Sequence, residues 1–191
     1  MLILGASGGV ARAVLILLNQ YRFLFNKLIL LDKIDTIIKD EYLNHKKLNY
    51  EFIKYDLNNG IDEMFLQIKQ RHGVSIILDL TDCETLPLLK AADKLSINYL
   101  NCSVNSDSSS MINFVENMKE YISKYSNAVH VLALGMNPGI INHLIVRGVL
   151  EHGMPLEYIE IEFDSGCSTK KKISKPFITW SKTQFLNEAV H

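Results

Sequence analysis

Leu2-Ile3-Leu4-Gly5-Ala6-Ser7-Gly8-Gly9-Val10-Ala11 is the stretch that decides how the rest of the chain is read. Three strand-forming apolar residues run straight into a turn with glycine at 5, 8 and 9. Val10 to Gln20 then carries apolar residues at the three- and four-residue spacing of an amphipathic helix. Strand, glycine turn and helix in that order form the context in which a dinucleotide fingerprint has physical meaning. Gly5 permits the tight turn. Gly8 or Gly9 removes side chains where backbone N–H groups and the positive helix end approach a pyrophosphate, and Ala11 keeps the helix close to the sheet. The spacing is G-x-x-G-x-x-A, with Ser7 where the strict motif has its middle glycine, so a plain glycine-rich turn is the alternative. Gly5, Ser7, Gly8, Gly9 and Val10 are the candidate pyrophosphate contacts.

The next apolar run, Leu28-Ile29-Leu30-Leu31, ends on Asp32, 27 residues after Gly5. An acid at that place accepts hydrogen bonds from the adenosine ribose diol and repels a 2′-phosphate, which favours NAD over NADP, with Lys33 a partial offset. Asp56, after the third run, is either an adenine-edge contact or an ordinary loop acid. Ligands of open α/β sheets sit beyond the carboxyl ends of the strands. That rule sets Thr81, Asp82 and Cys83 after the fourth strand, and Ser103, Val104 and Asn105 after the fifth, beside a bound nicotinamide.

The remaining order supports this placement. Ile76-Ile77-Leu78, Ile97 to Leu100 and Val129 to Leu134 are further apolar runs, and Tyr50 to Asp56 fits one more strand. Runs that are apolar almost throughout are buried on both faces, which indicates a parallel sheet covered by helices. Ile61 to Arg71, Leu86 to Leu95 and Met111 to Lys124 have helical spacing. The chain therefore reads as an α/β, Rossmann-type doubly wound parallel sheet over residues 1–145. Residues 146–191 read as the incomplete start of an α+β substrate and dimerisation domain. Its first strand is expected at Tyr158 to Asp164, where apolar and acidic residues alternate.

Composition narrows the function classes. The chain has 191 residues, 48% hydrophobic, with 20 Lys+Arg against 21 Asp+Glu. A net charge of −1 argues against a dedicated nucleic-acid coat. Cys83, Cys102 and Cys167 lie far apart with no CxxC pair, so neither a disulfide framework nor a zinc pattern is written, and no metal site is expected. Met1 to Leu18 lacks a basic leader and contains Arg12 and three glycines, unlike a signal segment. No run is long enough to span a bilayer. A cytoplasmic protein with a small-molecule partner is expected.

Two late segments go further: Ala133-Leu134-Gly135-Met136-Asn137-Pro138-Gly139-Ile140, and Phe177-Ile178-Thr179-Trp180-Ser181 followed by Phe185 and Glu188. With the N-terminal G-A-S-G-G-V-A they resemble homospermidine synthase, within the saccharopine dehydrogenase-like superfamily. The resemblance implies tightly held NAD and no net redox change. Putrescine is oxidised to an imine and deaminated, a second diamine condenses, and the new imine is reduced. It also implies catalytic roles for Asn137, Trp180, Glu162 and Glu188. Trp180 would hold a cationic amine by cation–π attraction, Glu162 or Glu160 and Glu188 would anchor ammonium groups, and Asn137 with Pro138 would orient substrate or nicotinamide. For Asn137 a helix cap is the alternative, and for Trp180 a buried anchor. Where the family leads one to expect glutamate, proline and an aromatic, this chain has Asn105-Ser106-Asp107-Ser108, and Lys182 follows the tryptophan segment. The family's substrate domain continues further, so the chain is expected to be the N-terminal part of a longer protein that forms a homodimer. A saccharopine or carboxynorspermidine dehydrogenase-like NAD(P) oxidoreductase and a non-catalytic nucleotide-binding fragment are the alternatives.

Overall fold

The structure, a computed structural model, describes residues 1–21, 26–35, 48–106, 116–121, 127–137 and 139–159. In chain order these form β1 (Leu2–Leu4), α1 (Gly9–Gln20), β2 (Leu28–Asp32), β3 (Tyr50–Lys54), a 3-10 turn (Leu57–Asn59), α2 (Ile61–His72), β4 (Ile76–Asp79), α3 (Thr85–Lys94), β5 (Asn98–Asn101), β6 (His130–Val131) and α4 (Ile140–His152). Residues 116–121 are also helical. The chain divides into two compact units, Met1–Gly148 and Val149–His191.

The strands of the first unit make one parallel sheet in the order β3-β2-β1-β4-β5-β6. Chain progression runs outward in both directions from the β1–β4 pair, which is therefore the switch point where a ligand crevice opens. Leu4 is in register with Leu31 on one side and Asp79 on the other, and Asp79 with Asn101. The carboxyl ends of four strands thus finish at one level.

Two-residue alternation along the strands explains why both faces are covered. Leu2, Leu4, Ile29, Leu31, Ile77 and Tyr99 pack on one face with Phe65 and Ile68 of α2 and Leu88, Leu89 and Ala92 of α3. Ile3, Leu28 and Leu30 pack on the other with Ala6 and Leu15. Each large apolar side chain fully buried this way stabilises the fold by about 1.5–3 kcal/mol before entropic costs. At α2 the first turn carries Asp62 and Glu63 and the last carries Lys69, Arg71 and His72, matching the helix dipole. Pro87 lies in the first turn of α3, where its missing N–H costs no intrahelical bond.

The sequence expectations fail at the sheet edges. The run Val129 to Leu134 contributes only the two-residue β6, and Val131 and Leu134 are exposed. The cause is Asn101. Its Oδ1 accepts the Ala133 N–H at 2.9 Å and its carbonyl accepts the Leu134 N–H at 2.9 Å, while Ala133 turns to φ +60°. The chain is drawn across the end of β5 rather than along it. The third strand stops at Lys54, two residues before Asp56, which turns into the 3-10 segment instead. Tyr158 and Ile159 have no regular secondary structure, and the rest of the strand expected at Tyr158 to Asp164 lies outside the described residues. Among the described residues no helix is long and apolar enough to cross a membrane.

Candidate functional site

The glycine turn sits at the carboxyl end of β1 and each of its residues has a separate task. Gly5 adopts φ +70°, and a Cβ there would lie 2.8 Å from the Leu80 carbonyl oxygen and 3.0 Å from Thr81 Cγ2. Both the left-handed backbone and the contact with the β4 loop require glycine. The turn is closed by the Gly8 N–H on the Gly5 carbonyl at 3.0 Å and by the Ala6 N–H on the Leu31 carbonyl at 3.2 Å. Gly8 is the extended residue that precedes α1 and provides no side-chain cap, and the first turn holds no acid. Gly9, Val10 and Ala11 lead the helix, so their N–H groups have no carbonyl partner within it. A Cβ on Gly9 would meet nothing within 4 Å, so the space beside this residue is open. Ala11 is fully buried, and Val10 is exposed.

Ser7 replaces the motif's middle glycine without filling that space. Its hydroxyl is turned toward β2 and donates to the Ile34 carbonyl, and its N–H donates to Asp32 Oδ2 at 2.9 Å. The second carboxylate oxygen of Asp32 accepts the Ile34 N–H at 3.1 Å. Asp32 is therefore fastened beside the glycine turn by two backbone donors, with further lone pairs on both oxygens. Asp56 has a local role: its Oδ1 accepts the N–H and the side-chain amide of Asn58 at 3.1 and 2.9 Å, capping the 3-10 turn.

Beyond β4 and β5 the loops are knitted together by a polar network. Asp79, the last residue of β4, is buried at 3% exposure. Its Oδ1 accepts the Thr81 N–H at 2.9 Å and the Thr81 hydroxyl at 2.7 Å, and its Oδ2 accepts the Tyr99 hydroxyl. Burial pushes the Asp79 carboxyl up against the opposing pull of these hydrogen bonds. Burial also pushes the Tyr99 phenol up, with the Asp79 charge adding to it. Thr81 Oγ1 in turn accepts the Cys83 N–H at 3.2 Å. Across the gap, Asn105 donates from its side chain to the Thr81 carbonyl at 3.3 Å and accepts the Ser103 hydroxyl at 3.0 Å. Its backbone exchanges bonds with Thr85, N–H to Thr85 Oγ1 at 3.0 Å and carbonyl to Thr85 N–H at 2.9 Å. Asn105 stands where an amine-anchoring glutamate was expected, and here it is a clip between two loops.

The structure thus brings Gly5, Ser7, Gly8, Gly9, Val10 and Asp32 to the switch point, with Thr81, Asp82 and Ser103 on the adjoining strand ends. Asn137 is exposed in the turn between β6 and α4. That turn is tight: Gly139 has φ +142°, its Cβ would lie 2.0 Å from the Gly135 carbonyl oxygen, and its N–H is accepted by Asn142 Oδ1 at 2.9 Å. Pro138, Glu160, Glu162, Trp180 and Glu188 lie outside the described residues, as do Asp107, Lys182 and Cys167.

Sequence reasoning passed over two buried acids. Asp79 was signalled only as an acid ending an otherwise apolar run. Asp93, in the last turn of α3, lies at the amino ends of β5 and β6, away from the glycine turn. It accepts from the Asn127 N–H at 2.6 Å, the Ala128 N–H at 3.1 Å and the Tyr121 hydroxyl at 3.2 Å, and pairs with His130 Nε2 at 2.9 Å. Burial pushes the Asp93 carboxyl up, but the bonds from His130, Asn127 and Tyr121 outweigh it and hold the group below its ordinary range. Among the described residues no cluster of His, Cys, Asp and Glu could hold a metal.

The six-stranded parallel sheet with helices on both faces is a Rossmann-type α/β fold. The chain is similar in structure to dTDP-glucose 4,6-dehydratase from Bacillus anthracis str. Ames, solved in complex with NAD, with a TM-score of 0.50 and 16% identity. The alignment covers 78% of this chain and 61% of the dehydratase, so the chain spans less than two thirds of that enzyme's length. A D-mannonate oxidoreductase from Haemophilus influenza with bound NAD aligns at a TM-score of 0.37 and 16% identity, over 69% of each chain. No family model matches the sequence, and no curated protein is significantly similar to it.

Proposed function

We propose that this chain binds NAD at the β1–β4 crevice and serves a homospermidine synthase-like reaction on a diamine such as putrescine. The observation that carries the cofactor half is the fastening of Asp32 to the Ser7 N–H. It puts a carboxylate beside a glycine turn that leads into α1, where a Cβ on Gly9 would meet open space.

NAD, when bound, supplies reversible hydride acceptance. The chain's own residues do the rest. The leading N–H groups of α1 and its positive end offset the pyrophosphate charge. Asp32 accepts the ribose hydroxyls and repels a 2′-phosphate. The Asp79–Thr81 and Ser103–Asn105 ties hold the two loops that flank the nicotinamide in fixed positions, which limits the reorganisation needed when substrate arrives. Trp180, Glu162 and Glu188 enter through the family resemblance, as the aromatic face and the acids that receive a diammonium substrate, and a homodimer accompanies that reading.

Calorimetry with NAD and NADP tests the cofactor half, where tighter NAD binding is expected and equal binding removes the Asp32 argument. Incubation with putrescine and NAD, followed by mass detection, tests the reaction. Homospermidine with no NADH build-up is expected. Steady NADH formation from an amino acid would instead favour a saccharopine-type dehydrogenase.

A further inference from the structure

The acid at the centre of the crevice floor does more than hold a loop. Asp79 is the last residue of β4 and is in register with Leu4, the last residue of β1, so it stands at the switch point itself. It is 3% exposed, and among the described residues no lysine, arginine or histidine is bonded to it. Its three partners all donate. The Thr81 hydroxyl accepts the Cys83 N–H and donates to Asp79 Oδ1. Both carboxylate oxygens therefore act as acceptors, as in the ionised acid.

The field of this charge reaches the two loops that border the crevice. Burial pushes the Cys83 and Cys102 thiols up, and the Asp79 charge adds to both. Asp82 adds a second negative charge at Cys83, and Lys33 opposes both. A buried charge of this kind is screened little by salt. Its interaction with a ligand in the crevice differs between two forms of that ligand only if their charges differ.

Resting on the NAD reading above, we propose that Asp79 sets the redox preference of the site, its fixed negative charge favouring the oxidised, cationic nicotinamide over the neutral reduced ring. Such a bias suits a cofactor that must begin each turnover as NAD⁺ and return to it. Asp79 acts on the cofactor through its charge and not by contact, as a specificity-determining residue.

The test is the dissociation constants of NAD⁺ and NADH, measured by calorimetry on the chain and on Asp79→Asn and Asp79→Glu. The unmodified chain is expected to bind NAD⁺ more tightly than NADH. Asp79→Asn should shift the ratio toward NADH by about fivefold or more, the effect of one unit charge within about 15 Å at an effective dielectric near 20. Asp79→Glu, which keeps the charge, should retain the preference in direction. Tighter NADH binding by the unmodified chain overturns the proposal without need of any variant, which covers the case in which Asp79→Asn does not fold. Equal loss of both forms in Asp79→Asn also overturns it, by showing a purely structural role while the NAD reading stands. Binding of neither form by the unmodified chain removes the NAD reading and this proposal with it.

Discussion

Gly5 and Gly9 lie four residues apart in the same turn, and alanine at each should have opposite consequences. At Gly5 the backbone is left-handed at φ +70°, which costs a residue with a Cβ about 1–2 kcal/mol. The added methyl would also lie 2.8 Å from the Leu80 carbonyl oxygen and 3.0 Å from the Leu80 carbonyl carbon. Backbone atoms of β4's exit cannot rotate aside as a side chain can, so a shift of the strand end adds about 1–3 kcal/mol. The smaller entropy loss of alanine on folding returns about 0.4–1 kcal/mol. The net expectation is a loss of about 2–4 kcal/mol for Gly5→Ala. At Gly9 the new methyl meets nothing within 4 Å and the residue is already helical, so stability should hold or rise by up to about 1 kcal/mol.

Binding separates the two variants further. The open space in front of Gly9 is where the pyrophosphate is placed, so Gly9→Ala should weaken NAD by about tenfold, roughly 1.4 kcal/mol, while remaining fully folded. Urea unfolding followed by far-UV circular dichroism reads the first effect and calorimetry reads the second. A Gly5→Ala protein within about 0.5 kcal/mol of the parent would contradict the turn geometry. Unchanged NAD affinity in Gly9→Ala would show that no ligand approaches the start of α1, and the functional reading would lose its foundation.

Three other expectations concern the charges and clips around this turn. Asp32→Asn should narrow the preference for NAD over NADP by about tenfold in paired calorimetric titrations, because the repulsion of a 2′-phosphate is removed while the amide oxygen still meets one of the Ser7 and Ile34 N–H groups. Asn105→Asp should cost about 1–2 kcal/mol in urea unfolding, since an acceptor would face the Thr81 carbonyl in place of a donor. Asp93 governs the acid limb of stability. Its folded carboxyl is held below the ordinary range, so its contribution is complete above the unfolded carboxylate range and fades as pH falls through the folded value. Asp93→Asn should be less stable at neutral pH and show a flatter decline in acid, and a parallel decline in both proteins would refute the assignment.

What the sequence made legible follows the physics of each element. Leu2 to Leu4 and Leu28 to Leu31 are buried on both faces, so no residue along them interrupts the apolar run, and the strands stand out. The glycine turn was legible because its conformational demand is written in residue type. At Gly5 only glycine satisfies both the positive φ and the approach of Leu80. The short β6 could not be seen in advance because its end is decided by Asn101, a residue on a different strand, whose side chain takes the Ala133 N–H. A local pattern carries no information about a donor intercepted from 32 residues away. Asn105 shows the same limit at the site. Compared with the residue types expected from the family resemblance, it was an acid lost. In the fold it joins Thr81, Ser103 and Thr85, a role that depends on two loops meeting and on no motif. The loss of an anchoring charge there leaves Asp79, Asp82 and Glu84 as the acids from the end of β4 to the start of α3, of which Asp79 is the buried one. That concentrates the electrostatic character of the crevice on the buried residue whose effect the NAD⁺ and NADH affinities can measure.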